Sequence, residues 1–271
     1  MKIEFLISTV DRTDLVFLYN MFKNLDIDDI NAVIINQCIN IDVPDDIQVP
    51  HDNIKVFSVK DKGTSRSRNL AMEHMTGDIC TFTDDDLIYE STVIQDVRRS
   101  FKNISFDVIT FKTEYIGTDV GVKKYAENTY EHDFYSLLRT GDWEIFFRKN
   151  IVKNRNIKLD SRFGLGCEYP LCEYQIFLTD CYKNGLSLGY LPITVVKHPQ
   201  DVIRTGLKFN SDIEKARGAA YARIFGVKAI LMILYFSFKK FNLYKHRKSF
   251  FDEFKDLFIG FLKFYCKSTK R

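Results

Sequence analysis

One segment, Thr76 to Tyr89, constrains this chain more than any other; its sequence is TGDICTFTDDDLIY. A short apolar run, Ile79 to Phe82, predicts a buried strand, which ends in three consecutive carboxylates, Asp84 to Asp86. Three adjacent anions near a protein surface repel one another by about 1 kcal/mol or more per close pair. We therefore expect a cation there, and a hard divalent ion held by one or two carboxylates and by substrate phosphates fits best. The alternative is a polar loop in which Asp86 caps the next helix.

The preceding segment, Lys62 to Met72, places basic groups just upstream of these carboxylates. Its sequence is KGTSRSRNLAM. Gly63 allows a tight backbone turn, and a predicted helix carrying Arg66, Arg68 and Asn69 follows it. Basic side chains near the start of a helix bind phosphate well. The two segments together predict a phosphate group held opposite a metal ion.

Together the two segments resemble the nucleotide-sugar half of the GT-A glycosyltransferases of family 2. In that family a glycine turn and an Arg-Asn helix, here Gly63, Arg68 and Asn69, precede the strand that carries a DXD motif, here Asp84 to Asp86. The resemblance covers residues 1–200 approximately. It implies an inverting sugar transfer from a nucleotide-diphosphate sugar, with a UDP-sugar ahead of a GDP-sugar as donor. It also implies Mn²⁺ or Mg²⁺ as cofactor, bound by Asp84 and Asp86.

The order of the predicted elements supports an α/β fold. Strands are predicted at Ile3 to Ser8, Ala32 to Asn36, Ile54 to Ser58, Ile79 to Thr83, Asp107 to Lys112, Trp143 to Arg148 and Leu188 to Val196. Helices are predicted at Asp14 to Asn24, at Arg66 to Met75 and around Ile176. Strands that alternate with helices indicate a mainly parallel, doubly wound sheet, with ligands beyond the carboxyl ends of its strands. We expect a Rossmann-like GT-A domain over residues 1–210.

By the same resemblance, the loop after the first strand, with Thr9, Asp11 and Arg12, lines the pocket for the nucleotide base. Helix capping is the alternative role for Thr9 and Asp11. The family often has an Asp pair after the second strand, whereas this chain has Asn36-Gln37-Cys38. Because an amide also recognises a base edge, Asn36 is a candidate base contact. The remaining predicted donor contacts are Gly63, Arg66, Arg68, Asn69, Asp84 and Asp85.

The segment Phe163 to Asp180, FGLGCEYPLCEYQIFLTD, carries the candidate general base. Family 2 enzymes commonly have two acids at the start of a helix here, and the second acid takes the proton from the acceptor hydroxyl. In this chain the corresponding pair is Glu173-Tyr174. Glu173 is one candidate base, Glu168 is another, and the third possibility is that neither serves. The structural alternative for Glu173 is capping of the helix N-terminus, where the helix dipole favours a carboxylate.

Several residues near the last predicted strand are further site candidates. His198 follows that strand, where family 2 enzymes often have a histidine near the metal, and neutral imidazole is a suitable third ligand for Mn²⁺. A lone surface histidine is the alternative. Arg204 and Lys208 follow in a loop that we expect to close over the diphosphate. Trp143 is a candidate for stacking on a sugar ring, with core or rim packing as the alternative.

The C-terminal region, residues 211–271, differs in composition from the rest. From Lys215 to Arg271 there are 14 Lys or Arg and 3 Asp or Glu, a charge of +11, whereas the preceding 214 residues carry 25 and 33, a charge of −8. Its apolar run AILMILYFSF is shorter than the roughly 20 residues that span a bilayer. Basic, aromatic helices are typical of membrane interfaces rich in anionic lipid. Packing on the catalytic domain and RNA binding are the alternatives, and the lack of a recognised RNA-binding motif argues against nucleic acid.

Three functions from different classes fit these patterns. The first is an inverting glycosyltransferase that modifies a glycan or lipid-linked saccharide, resembling bacterial enzymes of capsule or O-antigen assembly. The second, a sugar-phosphate nucleotidyltransferase, is disfavoured because STVDRTD after the first strand lacks glycine. The third is a non-catalytic nucleotide-sugar-binding partner in a membrane complex, favoured by Tyr174. Six cysteines without a CxxC pair, and no secretory signal, favour the cytoplasm, with the chain peripheral on the inner membrane face.

Overall fold

The structure is a computed structural model that describes residues 1–44, 47–117, 123–199 and 210–268. Across these residues nine strands form a single sheet. The strands are β1 (Ile3–Val10), β2 (Ala32–Gln37), β3 (Ile54–Val59), β4 (Ile79–Asp84), β5 (Ile88–Tyr89), β6 (Val108–Ile116), β7 (Tyr130–Glu131), β8 (Ile145–Arg148) and β9 (Leu188–Pro199). The helices are α1 (Phe17–Met21), α2 (Thr64–His74), α3 (Val93–Asn103), α4 (Phe134–Leu137), α5 (Lys149–Asn154), α6 (Glu173–Lys183), α7 (Ser211–Phe225), α8 (Ala229–Lys239), α9 (Phe241–Tyr244) and α10 (Phe250–Ser268).

The strand order is β3-β2-β1-β4-β8-β6-β9-β5, and β7 pairs with β9. β1 pairs in parallel with β2 and with β4, and β2 pairs in parallel with β3. β8 is antiparallel to both β4 and β6, whereas β6 and β9 are parallel. The four-stranded parallel half therefore brings four carboxyl ends to one edge. This arrangement confirms the predicted α/β fold with a mainly parallel sheet.

Both faces of the central strands are apolar, so helices cover both sides of the sheet. Phe5 and Ile7 of β1 belong to the hydrophobic cluster that includes Val97 of α3. Leu6, between them, belongs to the opposite cluster, with Met72 of α2. Successive side chains of a strand point to opposite faces, so an unbroken apolar run fills two cores at once.

Several element boundaries differ from those predicted. The strands β6 and β9 extend beyond their predicted ends, to Ile116 and Pro199, so His198 lies within β9 and does not follow it. The helix predicted at Asp14 to Asn24 is limited to Phe17–Met21, because the chain leaves helical geometry at Phe22, where φ is −111°. The strand predicted from Trp143 begins instead at Ile145, because Trp143 lies in a 3-10 turn. The strands β1, β2 and β4 end within two residues of their predicted ends, so the edge that carries the predicted site is unchanged.

The helices α7 and α10 cross in close contact at two glycines. A Cβ atom on Gly218 would lie 1.9 Å from the carbonyl oxygen of Leu257, and one on Gly260 would lie 1.9 Å from that of Lys215. Only glycine, which has no Cβ, allows the two backbones to approach this closely. The two helices therefore form one packed unit.

This helical unit also packs on the α/β body. A third hydrophobic cluster joins Phe163 and Tyr169 of the loop before α6, and Ile176 of α6, to Leu257 and Phe264 of α10. Packing on the rest of the chain, which was the alternative for the C-terminal region, therefore describes α7 and α10.

The helix α8 keeps an exposed apolar surface. Leu231 is 68% exposed and Phe238 is 70% exposed. The stretch Ser211–Lys239, which combines α7 and α8, is long and apolar enough to cross a membrane by length and composition alone. Core helices of soluble proteins meet the same criterion, so this property does not by itself identify a membrane span.

Candidate active site

A cleft of about 500 Å³ opens at the carboxyl ends of the parallel strands. Its walls come from the ends of β1, β2 and β4, the start of α2, the loop before α6 and the first residue of α6. The structure brings the following predicted residues together in this cleft: Thr9, Arg12, Gly63, Arg68, Asp84, Asp85, Asp86 and Glu173. They come from segments 164 residues apart in sequence at the extremes (173 − 9), so the parallel half of the sheet assembles the site.

Asp85 ties the end of β4 to the loop after β1. Its Oδ2 accepts a hydrogen bond from Thr9 Oγ1 at 2.5 Å and two from Arg12, at 2.6 Å from Nη2 and 3.0 Å from Nε. Hydrogen bonds between a guanidinium and a carboxylate are stronger than neutral ones. Thr9, Arg12 and Asp85 therefore form one connected wall of the cleft.

Two predicted base-pocket residues, Asp11 and Asn36, shape this wall without lining the cleft in the described part of the chain. Asp11 has φ +52°, and its Oδ1 accepts hydrogen bonds from the N–H groups of Ile39 and Asn40, at 2.6 and 2.9 Å. Hydrogen bonds from backbone N–H groups lower the pKa of Asp11, and the N–H of Asn40 makes the largest contribution. Asn36 donates to the Arg12 carbonyl at 2.8 Å and accepts from the Arg12 N–H at 3.0 Å. Both side chains hold the loop that carries Arg12.

Gly63 forms the turn before α2, as predicted. Its φ is +138°, and a Cβ there would lie 2.7 Å from Cys167 Sγ, so both backbone and space require glycine. Its N–H donates to Gln37 Oε1 at 2.7 Å, and Gln37 Nε2 donates to Ser8 Oγ at 3.1 Å. Gln37, the last residue of β2, and not its neighbour Asn36, is therefore the amide that reaches the cleft. Successive side chains of a strand point to opposite faces of the sheet, so Asn36 and Gln37 point in opposite directions. The sequence contains this alternation, but only the strand register shows which of the two side chains faces the cleft.

Arg66 and Asn69, both predicted donor contacts, point away from this cleft. Arg66 Nε donates to both oxygens of Asp61, at 3.0 and 3.1 Å, beside a smaller neighbouring pocket of about 200 Å³. Asn69 donates to the carbonyl of Leu159 at 2.8 Å and accepts from its N–H at 2.9 Å. Asn69 therefore anchors the segment that leads to the loop before α6.

Arg68 is a buried charge at the base of the cleft, with only 1% of its surface exposed. Its Nη2 forms an ion pair with Asp84 Oδ1, and its Nη1 lies 3.8 Å from Glu173 Oε1. Its guanidinium carbon lies 4.7 Å from the centre of the Tyr174 ring. A buried cation requires such partners because water no longer compensates its charge. Arg68 therefore connects the end of β4 to the start of α6.

Of the two candidate bases, Glu173 lies in the cleft and Glu168 does not. Glu173 is the first residue of α6 and is 7% exposed. Burial raises the pKa of Glu173, and the charge of Arg68 acts in the opposite direction. Glu168 instead forms an ion pair at 2.5 Å with Lys267 of α10, on the far side of its loop. A raised carboxylate pKa suits a group that takes a proton near neutral pH.

Two of the three predicted metal ligands, Asp84 and Asp86, line the cleft at the end of β4. Burial and, after it, the charge of Asp84 raise the pKa of Asp86, and the interaction with His198 acts in the opposite direction. In the described segments no group of three His, Cys, Asp or Glu residues is arranged to hold a metal ion. The donor chemistry nevertheless fits a hard cation, because Asp84 and Asp86 face an anion-rich cleft. Mg²⁺ is commonly bound by one or two carboxylates, with water and substrate phosphates as the other ligands.

Two other candidates, His198 and Trp143, form an aromatic contact near the end of β9. His198 packs against Trp143, with ring centres 4.3 Å apart. In the described part of the chain neither ring lines the cleft, and Trp143 also packs against the core cluster of β1. Arg204 and Lys208, in the loop predicted to close over the diphosphate, lie outside the described residues.

The loop before α6 forms one wall of the cleft and is held from both sides. On the inner side, the Leu165 carbonyl accepts a hydrogen bond from the Thr64 N–H at 2.9 Å, and Ser65 Oγ donates to the Phe163 carbonyl at 2.6 Å. On the outer side, the ring of Phe264 in α10 lies 5.7 Å from that of Phe163. The C-terminal helix therefore supports a wall of the cleft.

Comparisons with known proteins agree with this architecture. The family model described as "Glycosyl transferase family 2" matches residues 20–165, more than half of the 271 residues. A search of curated proteins found no match. Residues 1–349 of TarS from S. aureus, solved with UDP-GlcNAc, align over 92% of this chain and 76% of that chain, with a TM-score of 0.65 and 15% identity. The same fragment without a named ligand aligns over 99% and 81%, with a TM-score of 0.64 and 15% identity. At this identity the likeness concerns the fold, and it confirms the GT-A prediction.

Proposed function

The chain belongs to glycosyl transferase family 2 and is a nucleotide-sugar-dependent glycosyltransferase, and we propose that it moves a sugar from a UDP-sugar to a glycan hydroxyl with inversion. One observation carries the proposal. The glycine turn at Gly63, the carboxylates at the end of β4 and the buried Glu173 share one cleft. Groups suited to a diphosphate, a cation and an acceptor proton are therefore within reach of one substrate.

The donor would bind with its diphosphate near the turn at Gly63 and the start of α2. The free N–H groups and the dipole at a helix start favour phosphate, and Lys62 lines the cleft beside them. The wall of Thr9, Arg12 and Asp85 would then face the nucleoside. The UDP-GlcNAc and UDP complexes of TarS, which has the same fold, favour UDP over GDP.

Asp84 and Asp86 would hold the divalent cation, Mn²⁺ or Mg²⁺, and His198 is the candidate third ligand. When bound, such an ion neutralises the charge that develops on the leaving diphosphate. Burial and the neighbouring anions already disfavour the charged form of Asp86, which is the electrostatic setting in which a cation is favoured.

Glu173 would act as the general base. The acceptor oxygen attacks the anomeric carbon as the bond from that carbon to the diphosphate breaks, and the hydroxyl proton passes to Glu173 Oε. Attack from the side opposite the diphosphate inverts the anomeric configuration. Glu173 is 7% exposed, so the carboxylate that would receive the proton is largely shielded from bulk water.

The test measures UDP released from a panel of UDP-hexoses and UDP-N-acetylhexosamines with Mn²⁺, with water as the minimal acceptor. Glu173→Gln should lower kcat by about 10²-fold or more, in the range for loss of a general base. Glu168→Gln is the matched control, because Glu168 does not line the cleft and forms an exposed ion pair with Lys267, and its kcat should stay within about two-fold of the wild type. Equal losses in both variants, or no loss in Glu173→Gln, would contradict the role of Glu173.

We further propose that the exposed face of α8 rests on an anionic membrane surface at the cytoplasmic side, near a lipid-linked saccharide acceptor. Leu231 and Phe238 supply apolar area, and Lys239 and Lys240 follow at the end of the helix. The region from residue 215 onward carries a charge of +11, which complements anionic lipid. A lipid-linked acceptor would suit surface polysaccharide assembly, such as capsule or O-antigen.

Sedimentation with lipid vesicles tests this surface. The full chain should bind vesicles containing anionic phosphatidylglycerol and should bind neutral phosphatidylcholine vesicles weakly. Leu231→Ser should weaken binding, whereas Val16→Ser, which changes a similarly exposed residue (64% against 68%) just before α1, should not. A full chain that stays in solution with anionic vesicles at moderate salt would contradict the membrane proposal.

A further inference from the structure

Tyr174 occupies the position at which the family resemblance places an acid, next to Glu173. We propose that Tyr174 and Arg68 form a positioning pair for Glu173: the tyrosine ring fixes the arginine, and the arginine fixes the carboxylate. The inference rests on the proposed function, in which Glu173 takes the acceptor proton. It gives the substituted position a defined role in place of the missing acid.

Arg68 lies beside both Asp84 and Glu173. Its guanidinium is 1% exposed and lies between two carboxylates of the cleft, paired with Asp84 and 3.8 Å from Glu173. Asp84 is still 35% exposed as a side chain, whereas Glu173 is 9% exposed, so Glu173 depends more on the cation. If Arg68 moved away, two like charges would share the base of the cleft and the more buried one would favour its neutral form.

The ring of Tyr174 keeps Arg68 in place. The plane of the Tyr174 ring lies beneath the guanidinium carbon at 4.7 Å, within the range of a cation–π contact. Tyr174 is itself 1% exposed, and its ring packs 5.7 Å from that of Phe82. Phe82 precedes Asp84 by two residues on β4, so the tyrosine is seated on the same strand that ends at the carboxylate.

The surroundings of position 174 suit an aromatic ring better than a carboxylate. Tyr174 faces the hydrophobic cluster that contains Phe82 and Phe177, where an unpaired carboxylate would be costly. A carboxylate there would turn to Arg68, which already serves Asp84 and Glu173. A third anion at one buried cation would weaken the hold on Glu173 instead of adding a second base.

Three substitutions at one position test the pair. Tyr174→Phe keeps the ring, Tyr174→Leu removes it while keeping an apolar side chain, and Tyr174→Glu restores the acid of the family pattern. We expect Tyr174→Phe to retain kcat within about two-fold, and the other two to lose about ten-fold or more of kcat, part of the 10² to 10⁴ that a positioned base supplies. UDP affinity should stay within about three-fold of wild type in all three, because Tyr174 does not line the cleft among the described residues.

The measurements are UDP affinity by calorimetry and UDP release from the UDP-sugar panel, both with Mn²⁺ and at a temperature where each variant is folded. Wild-type kcat in Tyr174→Leu, or a higher kcat in Tyr174→Glu, would overturn the positioning pair. If Tyr174→Leu does not fold, Arg68→Lys decides, because one ammonium cannot span both carboxylates and should lower kcat; unchanged kcat there would overturn the proposal. A wild-type chain that binds UDP yet releases none from any UDP-sugar would instead contradict the proposed function itself.

Discussion

Replacing Gly218 by alanine should destabilise the protein, although the same change in an exposed helix would stabilise it. The added Cβ would lie 1.9 Å from the Leu257 carbonyl oxygen and 2.7 Å from the Leu257 carbonyl carbon. Contacts below 3.0 Å are essentially never seen for real Cβ atoms, so α10 must move away from α7 by about 1 Å. Both atoms belong to backbone, so no side-chain rotation relieves the overlap.

The size of the effect follows from two opposing contributions. Overpacking of a close contact costs about 1–3 kcal/mol, and a clash with backbone belongs at the upper end of that range. The better helix propensity of alanine returns about 1 kcal/mol. We therefore expect the free energy of unfolding to fall by about 2 kcal/mol, which lowers Tm by about 2–4 °C per kcal/mol in a chain of this size.

Denaturant and thermal unfolding, followed by circular dichroism, measure this change. Gly260→Ala adds a methyl group at the same crossing, 1.9 Å from the Lys215 carbonyl oxygen, so the double variant should cost less than the sum of the two singles. Gly185→Ala is the matched control, because nothing lies within 4 Å of its Cβ, and its cost, from a φ of +74°, should add fully to that of Gly218→Ala. A higher Tm for Gly218→Ala would refute the packing of α10 against α7.

Three other predictions follow from single contacts. Asp85→Asn removes the charge that holds Thr9 and Arg12, and UDP affinity measured by calorimetry should fall by about ten-fold, or 1.4 kcal/mol; unchanged affinity would contradict that wall. Gly63→Ala should weaken UDP binding at least as much, because φ is +138° and Cys167 Sγ is 2.7 Å from the new Cβ. Burial and then Glu214 raise the pKa of Glu253 to about 8. Its stabilising contribution is therefore complete below the unfolded pKa of about 4.3 and is lost as the pH rises through 8. Glu253→Gln should raise Tm over wild type at pH 9 but not at pH 4, and equal Tm values at pH 9 would contradict this.

The sequence predicted the parallel half of the fold well, because its strands carry apolar runs that only a doubly covered sheet can bury. β1, β2 and β4 lie where the runs at Ile3, Ala32 and Ile79 placed them. The C-terminal region was harder to predict, since its basic and aromatic composition suits a membrane surface and a packed helix pair equally. Gly218 and Gly260 lie at the helix crossing, but the sequence does not show that each glycine contacts the backbone of the other helix. That contact is seen only when α7 and α10 are packed together.

The position of a residue in the cleft was predictable where that residue lies at a strand end or in a turn. Asp84, Asp85 and Gly63 are examples, because chain geometry alone brings them to the cleft edge. The prediction was less complete where side-chain direction decides, as with Asn36, which holds the Arg12 loop, and its neighbour Gln37, which reaches Gly63. Long-range partners decide such cases, and a single sequence does not reveal them.

Other site residues depended on contacts between distant elements. Glu168 and Glu173 are five residues apart, and both are carboxylates near the start of α6, so the local sequence does not distinguish them. Glu168 forms an ion pair with Lys267, which is 99 residues further along the chain than Glu168. Glu173 instead lies next to Arg68 in the cleft. The structure therefore separates two candidates that the sequence left open.

Binding of UDP to the full chain tests the central claim most directly, because it requires no knowledge of the acceptor. Calorimetric titrations with UDP and GDP, each with Mn²⁺ and then with excess EDTA, supply the comparison. We predict binding of UDP with Mn²⁺, and affinity at least about ten-fold weaker with EDTA or with GDP, a difference of about 1.4 kcal/mol. Failure of both nucleotides to bind in the presence of Mn²⁺ would contradict the assignment of this cleft as a nucleotide-sugar site.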